Sequence, residues 1–331
     1  MTETDILVLG GHAHGMPTTD LAAVLRTELP EYEIETAQTR QEIREAVAEV
    51  PIVTGGGPVE DWLDDAHNLK LFAAIGAGVG PGTVKPLVDR DVRVTSAAGV
   101  HAPNIAEYVI GSMLAFSRNL REGWRRELDR EWRHYQARDF QASTVTVVGL
   151  GTIGQAIVER LAGFGVDTIG VRYTPSKGGP TDEVIGFESD AFAAALARTD
   201  YLVLACPLTD TTRQLIGHRE LHLLHPESVI VNIGRGALID TDALVRTIGM
   251  NGIHGVALDV TDPEPLPEDH PLWSFENVQI TPHMSGHTPE YWERCADILV
   301  ENVRRIERTG AYDDLRNEVT LTADGEVVYP S

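Results

Sequence analysis

The chain has 331 residues, enough for two domains with separate cores, and no apolar run approaches the roughly 20 residues that span a bilayer. Fifty acidic and 27 basic residues give a formal net charge of −23, which argues against nucleic acid and membranes as partners. The two cysteines lack CxxC spacing and no signal peptide is recognisable, so we expect a cytoplasmic protein without a disulfide framework.

The first hundred residues alternate short β-rich runs with helix-length segments, which predicts an α/β domain. The strand candidates are ILVLG at 6–10, IVTGGG at 52–57, LFAAIGAG at 71–78 and VRVTS at 92–96. A long amphipathic stretch then runs from Asn104 to Leu120, opening after Pro103.

A second α/β unit begins at Thr144. Its strand candidates are near-continuous apolar runs, as expected for parallel strands covered on both faces. They are TVTVVG, DTIGV, EVIGF, YLVLAC, SVIVNI, GVALDV and VQITP, separated by helix-length segments such as 153–164 and 240–250. A last helix at about 289–308 is long enough to return to the first domain.

A glycine pattern, GLGTIG, follows the first strand of this second unit and opens a helix. Gly149, Gly151 and Gly154 permit a tight turn and a close approach to a pyrophosphate. The phosphate charge would sit at the helix N-terminus, beside Thr152 and Ile153. The pattern in this context predicts dinucleotide binding.

The next strand ends at Val171 without the Asp or Glu that normally binds the ribose hydroxyls of NAD. Arg172 stands there instead, followed by Tyr173, Thr174 and Lys177. A guanidinium can pair with the 2′-phosphate of NADP, aided by the two hydroxyls and by Lys177. The alternative is an ordinary surface arginine. The sequence favours NADP(H), with NAD(H) as a possible second cofactor.

Three reactive side chains lie just past three predicted strand ends: Arg235, Glu264 and His283. Ligands of open parallel sheets bind at the carboxyl ends of the strands, so this topology would bring the three together. A guanidinium can hold a carboxylate and polarise the adjacent carbonyl, and a histidine can deliver a proton as hydride arrives. A carboxylate behind the histidine would orient its ring. Taken alone, each has a structural alternative: Arg235 as a strand-end ion pair, Glu264 as a turn acid among prolines, and His283 as a core histidine.

The motifs GLGTIG, ACPLTDTT, NIGRGALID, GVALDV with its following EPLP, and TPHMSG occur in this order over about 145–290. Together they resemble the D-isomer-specific 2-hydroxyacid dehydrogenase family. AAIGAGVG at 73–80 and NIAEYVI at 104–110 are weaker landmarks of the same family. Relatives usually carry an Asp where this chain has Gly80, and the acid before Arg172 is also absent.

The resemblance implies that Arg235, Glu264 and His283 are catalytic and that Asp259 binds the nicotinamide carboxamide. It also implies that the backbone amides of residues 77–79 receive the substrate carboxylate, aided by Arg235 and His283. These amides belong to Ala77, Gly78 and Val79. The remaining implied cofactor residues are Cys206, Pro207, Thr212, Ile233, Gly234, Arg235, His283, Ser285 and Gly286.

The implied fold is a two-domain α/β protein. A Rossmann-type doubly wound parallel sheet at 99–288 is accompanied by a smaller flavodoxin-like substrate domain, formed by 1–98 and the returning 289–331. The expected reaction is NADPH-dependent reduction of a 2-keto carboxylate to the D-2-hydroxy acid in a closing cleft, by a homodimer. The alternatives are a glyoxylate or hydroxypyruvate reductase, or a dinucleotide-sensing regulator on the same fold.

Residues 10–15, GGHAHG, hold two histidines on a glycine-rich segment. Acidic or cysteine ligands with suitable spacing are lacking nearby, so we expect no metal site. We expect a loop after the first strand, whose His12, His14 or Met16 contacts the side chain of the substrate.

The acid-rich composition with only three lysines resembles that of proteins from halophiles that accumulate salt. Scattered negative charge makes the compact state repel itself, and salt screens this repulsion. We therefore expect the melting temperature to rise steeply from dilute buffer to molar KCl, as measured by circular dichroism. An unchanged melting temperature across that range would leave the halophilic interpretation without support.

Overall fold

The computed structural model describes residues 4–322 and 325–328. Within them the chain divides into two compact units. The first unit takes in the described residues up to His101 and from His287 onward, and the second unit runs from Ala102 to Gly286. The domain bounds expected from the sequence lie two to three residues from the points at which the chain passes from one unit to the other.

Strands and helices alternate along most of the chain. The strands are β1 (Ile6–Leu9), β2 (His12–Ala13), β3 (Met16–Pro17), β4 (Ile34–Ala37), β5 (Ile52–Gly55), β6 (Leu71–Ala74), β7 (Arg93–Thr95), β8 (Thr144–Val148), β9 (Asp167–Val171), β10 (Glu183–Ile185), β11 (Tyr201–Leu204), β12 (Val229–Asn232), β13 (Gly255–Leu258), β14 (Val278–Ile280), β15 (Glu318–Leu321) and β16 (Val327–Val328). The α-helices are α1 (Thr18–Glu28), α2 (Arg40–Ala46), α3 (Pro81–Val88), α4 (Ala102–Ser117), α5 (Leu120–Leu128), α6 (Thr152–Leu161), α7 (Ser189–Leu196), α8 (His218–Leu223), α9 (Thr241–Gly249) and α10 (Tyr291–Thr309).

The sheet of the first unit has the order β16-β15-β7-β6-β5-β1-β4. The five strands β4, β1, β5, β6 and β7 are parallel, and β15 and β16 extend the sheet in antiparallel fashion. The parallel part has the strand order of flavodoxin-like folds, in which the direction of winding reverses beside the first strand. This confirms the predicted flavodoxin-like α/β domain.

The sheet of the second unit has the order β10-β9-β8-β11-β12-β13-β14, and its neighbouring strands are all parallel. The chain winds outward from β8 to one edge and then, from β11, to the other. This is the doubly wound Rossmann topology, whose ligands bind at the carboxyl ends of the strands near the reversal. The predicted Rossmann-type sheet is confirmed.

Both sheets are covered on both faces. Ile6 and Val8 of β1 belong to the core beneath α1 and α10, whereas Leu7 belongs to a second core on the opposite face. In β8, Val147 and Val148 likewise enter different cores. Successive side chains of a strand point to opposite faces, so a strand buried on both sides reads as one apolar run.

Three local predictions need correction. Residues 12–17 form the short antiparallel hairpin β2–β3 instead of an open loop, with positive φ at His14 and Gly15 in its turn. The amphipathic stretch expected at 104–120 is α4, which ends at Ser117 because Asn119 adopts a left-handed conformation before α5. The strand β4 lies in a segment where the sequence predicted none.

None of the helices within the described residues combines the length and the apolar character that a membrane span needs.

Candidate active site

The glycine turn after β8 fits a dinucleotide. Gly149 has a φ of 102°, a conformation that side chains rarely permit. A β-carbon on Gly154 would overlap the Gly149 carbonyl oxygen, while Gly151 has open space where a β-carbon would stand. α6 begins without a side-chain cap, so its first N–H groups, at Thr152 and Ile153, are suited to a pyrophosphate.

The backbone after β11 and β12 lies close to this turn. A β-carbon on Gly149 would come 2.8 Å from the Cys206 Cα, and one on Gly234 would come 2.9 Å from the Cys206 carbonyl oxygen. Ile233, before Gly234, is buried. Burial raises the pKa of the Cys206 thiol to about 11, so the thiol is neutral at physiological pH. The Cys206 thiol is therefore unreactive, and the assignment of Cys206, Ile233 and Gly234 to the cofactor stays a prediction.

The loop after Cys206 is closed by a threonine. The Thr212 hydroxyl donates to the Pro207 carbonyl oxygen at 2.7 Å and accepts the Thr209 N–H at 2.8 Å. Thr212 is buried, so its hydroxyl shapes the loop. Its assignment to the cofactor stays a prediction, as does that of Pro207.

The residues after β9 form a short, partly basic loop. The Arg172 Nη1 donates to the Gly178 carbonyl oxygen at 2.6 Å, across a single 3₁₀ turn at Pro175–Lys177. Tyr173 and Thr174 are exposed. A guanidinium has five N–H donors, so this bond holds the arginine in place and leaves other donors for a ligand.

Asp259 is buried and accepts three hydrogen bonds. Its Oδ1 accepts the Thr281 hydroxyl at 2.7 Å and the Met284 N–H at 2.9 Å, and its Oδ2 accepts the Ser285 N–H at 2.9 Å. A carboxylate offers about four acceptor positions, so one remains for a further donor. The same bonds fix the backbone of the segment that leads to Gly286.

Sequence reasoning did not identify three residues that support this arrangement. The Tyr108 hydroxyl shares a hydrogen bond of 2.7 Å with the Thr281 hydroxyl, and the Asn104 side chain donates to the Ser285 carbonyl oxygen at 3.1 Å. Burial raises the pKa of Tyr108, which keeps its hydroxyl neutral. Both Asn104 and Tyr108 lie in the NIAEYVI landmark, the one sequence signal that pointed towards them.

His283 and Glu264 form a direct pair. The His283 Nδ1 lies 2.7 Å from the Glu264 Oε1. The backbone N–H of His283 donates to the Asp259 carbonyl oxygen at 2.8 Å, and its φ of 51° turns the chain after β14. Both side chains are about half exposed, so the second ring nitrogen is available to a ligand.

Arg235 lies at the same edge of the sheet. Asn232, Leu258 and Ile280 are register partners at the ends of β12, β13 and β14. Arg235 follows the first of these ends by three residues and His283 follows the last by three. Strands in a sheet are about 4.8 Å apart, so these two strand ends are about 10 Å apart and long side chains span the gap. The Arg235 side chain is exposed, with Nη1 2.7 Å from the Gly234 carbonyl oxygen.

The proposed carboxylate loop belongs to the first unit. Residues 77–79 follow β6 and precede α3, whose N-terminal cap is Gly80. Gly78 is exposed and Val79 is buried. In residues 4–322 and 325–328, no group of three or more His, Cys, Asp or Glu side chains is arranged to hold a metal ion.

Comparison with known proteins agrees with this architecture. The profile of the "D-isomer specific 2-hydroxyacid dehydrogenase, NAD binding domain" matches residues 110–285. A glyoxylate reductase of Thermococcus litoralis is 30% identical, over 86% of this chain and 87% of its own. A D-3-phosphoglycerate dehydrogenase of Methanocaldococcus jannaschii is 32% identical, over 88% of this chain and 56% of its own.

Solved structures give the same result. An NADPH-dependent glyoxylate/hydroxypyruvate reductase from Sinorhizobium meliloti superposes with a TM-score of 0.73 at 26% identity, covering 96% of this chain and 98% of that one. The family profile covers more than half of the chain, and the two curated relatives are at least 30% identical over more than four fifths of its length. The chain belongs to the D-isomer-specific 2-hydroxyacid dehydrogenases, which are NAD(P)-dependent oxidoreductases.

Proposed function

We propose that the protein reduces 2-keto carboxylates to D-2-hydroxy acids, with NADPH as the preferred hydride donor and His283 as the proton donor. The observation that carries the proposal is the 2.7 Å pair of His283 and Glu264 at the sheet edge that also presents Arg235. An acid–base group and a carboxylate binder at one strand edge suit hydride chemistry on a 2-keto acid.

The roles of the side chains follow from their donors and acceptors. Glu264 holds Nδ1 of His283, so Nε2 is the nitrogen that gives its proton to the carbonyl oxygen of the substrate. Arg235 binds the substrate carboxylate and polarises the neighbouring carbonyl. We also assign the backbone amides of 77–79 to that carboxylate.

The bound dinucleotide would supply a hydride to the keto carbon. A C–H and an O–H bond then form as the C=O π bond breaks, and one proton leaves His283. In the direction of oxidation, His283 accepts that proton and Glu264 stabilises the charge that the ring gains.

The preference for NADPH rests on the loop after β9. Between Arg172 and Gly179 the chain has no carboxylate that would repel a 2′-phosphate, and it has two cationic side chains, Arg172 and Lys177. The Gly178 carbonyl already orients the guanidinium, which lowers the entropy that phosphate binding would cost. The relative from Sinorhizobium meliloti is an NADPH-dependent enzyme, which supports the same cofactor here.

Glyoxylate or hydroxypyruvate reduction is the second candidate. Several of the curated relatives and the Sinorhizobium meliloti structure carry these names. The chemistry at His283 would be the same, and the difference would lie only in the substituent that the substrate carries on its keto carbon. A spectrophotometric assay of NADPH oxidation with a panel of 2-keto acids separates the two candidates, and absence of turnover with all of them would favour a sensing role.

We also propose that the protein is a homodimer. Three large apolar side chains are exposed on α5 and just beyond it, at Trp124, Leu128 and Trp132, and the Trp132 side chain is fully exposed. Exposed apolar side chains that lie together mark interaction surfaces. The predicted partner is a second copy of this chain.

Replacing His283 by alanine should lower the turnover of keto-acid reduction by at least about a hundredfold, the scale of a lost general acid. The affinity for NADPH, measured by fluorescence titration, should change little. His222→Ala, which removes an exposed histidine of α8, is the matched control and should keep its turnover. Turnover of H283A within tenfold of the wild type would refute the assignment.

Arg235→Lys should raise KM and lower kcat, because an ammonium cannot bind a carboxylate bidentately.

The cofactor preference is tested by steady-state kinetics with NADPH and NADH. We expect kcat/KM to be roughly ten- to a hundredfold higher with NADPH, since charge-assisted hydrogen bonds contribute about 1.5–3 kcal/mol. Arg172→Asp should lower the efficiency with NADPH and hold or improve it with NADH, and adding Lys177→Ala should extend the shift. Arg160→Asp changes the charge equally at the far end of α6 and should leave the ratio unchanged. Equal efficiency with both cofactors in the wild type would return Arg172 to the role of a surface arginine.

The oligomeric state is tested by light scattering during gel filtration. One chain has a mass of 36.1 kDa, so we expect about twice that mass for the wild type. Trp124→Ser combined with Trp132→Ser should shift the mass towards the monomer, because the contact loses its two large apolar anchors. Trp273→Ser removes a half-exposed tryptophan elsewhere in the second unit and should remain dimeric. A wild-type monomer at micromolar concentration would contradict the proposal.

A further inference from the structure

Four rings from three segments of the first unit meet in one group, which we call the imidazole cluster: His14, His101, and the neighbouring His287 and Tyr291. The centroid of the His14 ring lies 5.2 Å from that of His101, 5.1 Å from that of His287 and 4.8 Å from that of Tyr291. The His101 and Tyr291 rings stack at 5.2 Å. The proposed catalytic mechanism uses none of these residues.

The cluster lies at the carboxyl edge of the first sheet. His14 belongs to the hairpin that directly follows β1. The Tyr291 hydroxyl donates a hydrogen bond to the carbonyl oxygen of Ile75, the residue after β6, and the Ala97 N–H donates to Gly76 at 2.9 Å. These bonds place the cluster beside the segment that leads directly into residues 77–79. Ligands of parallel sheets bind at this edge.

The turn that carries His14 does not require a histidine. His14 and Gly15 have φ values of 54° and 78°, the two positive angles of a tight hairpin turn that Asn-Gly satisfies most readily. A non-glycine residue with positive φ is an uncommon conformation that concentrates at functional sites. His14 and His101 are partly exposed and His287 is exposed, as a binding surface requires.

The charges that act on His14 come from its neighbours in the cluster. Burial, and then the charges of His101 and His287, hold the pKa of His14 below its usual value, so its ring is neutral at neutral pH and gains a proton only in acid. Tyr291 faces the ring from α10, with the Cys295 thiol behind it. On the same helix Arg294, paired with Glu290, donates to the Val100 carbonyl oxygen. An anion set against the rings would relieve the repulsion among protonated imidazoles.

We propose that the imidazole cluster binds the distal group of the substrate and selects 2-keto acids that carry a second carboxylate. The inference rests on the proposed function and specifies its substrate class. A substrate whose first carboxylate is held by the amides of 77–79 directs its other end towards the neighbouring cluster. Imidazole N–H groups donate to a carboxylate, and protonated rings pair with it, whereas a methyl group gains neither interaction.

Two substrates that differ only at the distal end test the proposal. Oxaloacetate has a carboxylate where 2-ketobutyrate has a methyl group. We expect the ratio of their kcat/KM values to exceed one in the wild type. The ratio should rise at least about threefold from pH 8 to pH 6, because binding of the second carboxylate takes up a proton at the cluster. The proton transfer at His283 is common to both substrates, so its pH dependence cancels in the ratio.

Two variants each remove one ring from the cluster and leave the hairpin turn intact. His14→Asn keeps a side chain that tolerates the positive φ of this position and carries no charge, and His287→Asn removes the second ring with an uncharged polar side chain. Each should lower the oxaloacetate to 2-ketobutyrate ratio at pH 6 about tenfold, the scale of one charge-assisted hydrogen bond at a partly exposed site, and flatten its pH dependence. His222→Asn is the matched control and should keep the wild-type ratio.

A binding measurement separates the substrate class from catalysis. D-Malate should raise the melting temperature of the wild type at pH 6 more than D-2-hydroxybutyrate does, and the difference should shrink in H14N. A wild-type ratio below one, or ratios that neither variant changes, would overturn the inference while turnover of 2-keto acids leaves the proposed function standing. Absence of turnover with oxaloacetate, 2-ketobutyrate and glyoxylate alike would overturn the proposed function itself.

Discussion

The candidate site depends on one constraint, the shared register of parallel strands at their carboxyl ends. Asn232, Leu258 and Ile280 lie side by side, so the segments that follow them leave the sheet at one level. Each following segment is then fixed by a backbone bond, as where the His283 N–H donates to the Asp259 carbonyl oxygen. Residues that are far apart in sequence are thereby brought within hydrogen-bonding distance of each other, as Glu264 and His283 are. A slip of one residue would turn every buried side chain of a strand to the opposite face, so the register and the level of these strand ends are strongly specified.

The sequence predicted all seven strands of the second sheet, including its edge strands β10 and β14, and missed β4, β15, β16 and the hairpin β2–β3 of the first unit. Strands such as β8 and β12 are buried on both faces, so their apolar runs are unmistakable. β4 lies at the edge of its sheet, and its residues Glu35 and Thr36 face solvent, which erases the apolar run. The hairpin β2–β3 is too short for any periodicity. The observed helix ends also differ from the predicted ones, because a terminating residue such as the left-handed Asn119 is hard to recognise from composition.

Site residues that directly follow a strand end could be predicted from the sequence. Residues that join the site through a long-range hydrogen bond could not. Arg235 and His283 each stand three residues past a recognisable strand. Thr281 and Tyr108 support Asp259 through bonds between residues 22 and 173 positions apart, and no pattern in the chain announces such pairs. The imidazole cluster is a stronger case, since its rings come from three segments that are far apart in the sequence. The roles of these residues remain predictions, and the fold and the family are confirmed.

The net charge of −23 poses a physical question for an enzyme whose cofactor and substrate are both anions. At low salt the summed field of the chain repels such ligands. At about 1 M salt the Debye length falls to roughly 3 Å, and only groups in direct contact still interact strongly. Recognition would then come from donors that touch the ligand, and the proposed site offers three such groups: the helix N-terminus at Gly151, the guanidinium of Arg172 held by Gly178, and the imidazoles beside residues 77–79. The first two groups directly follow the ends of β8 and β9, where the backbone holds them in place, so contact recognition and an acidic surface are compatible in the same molecule.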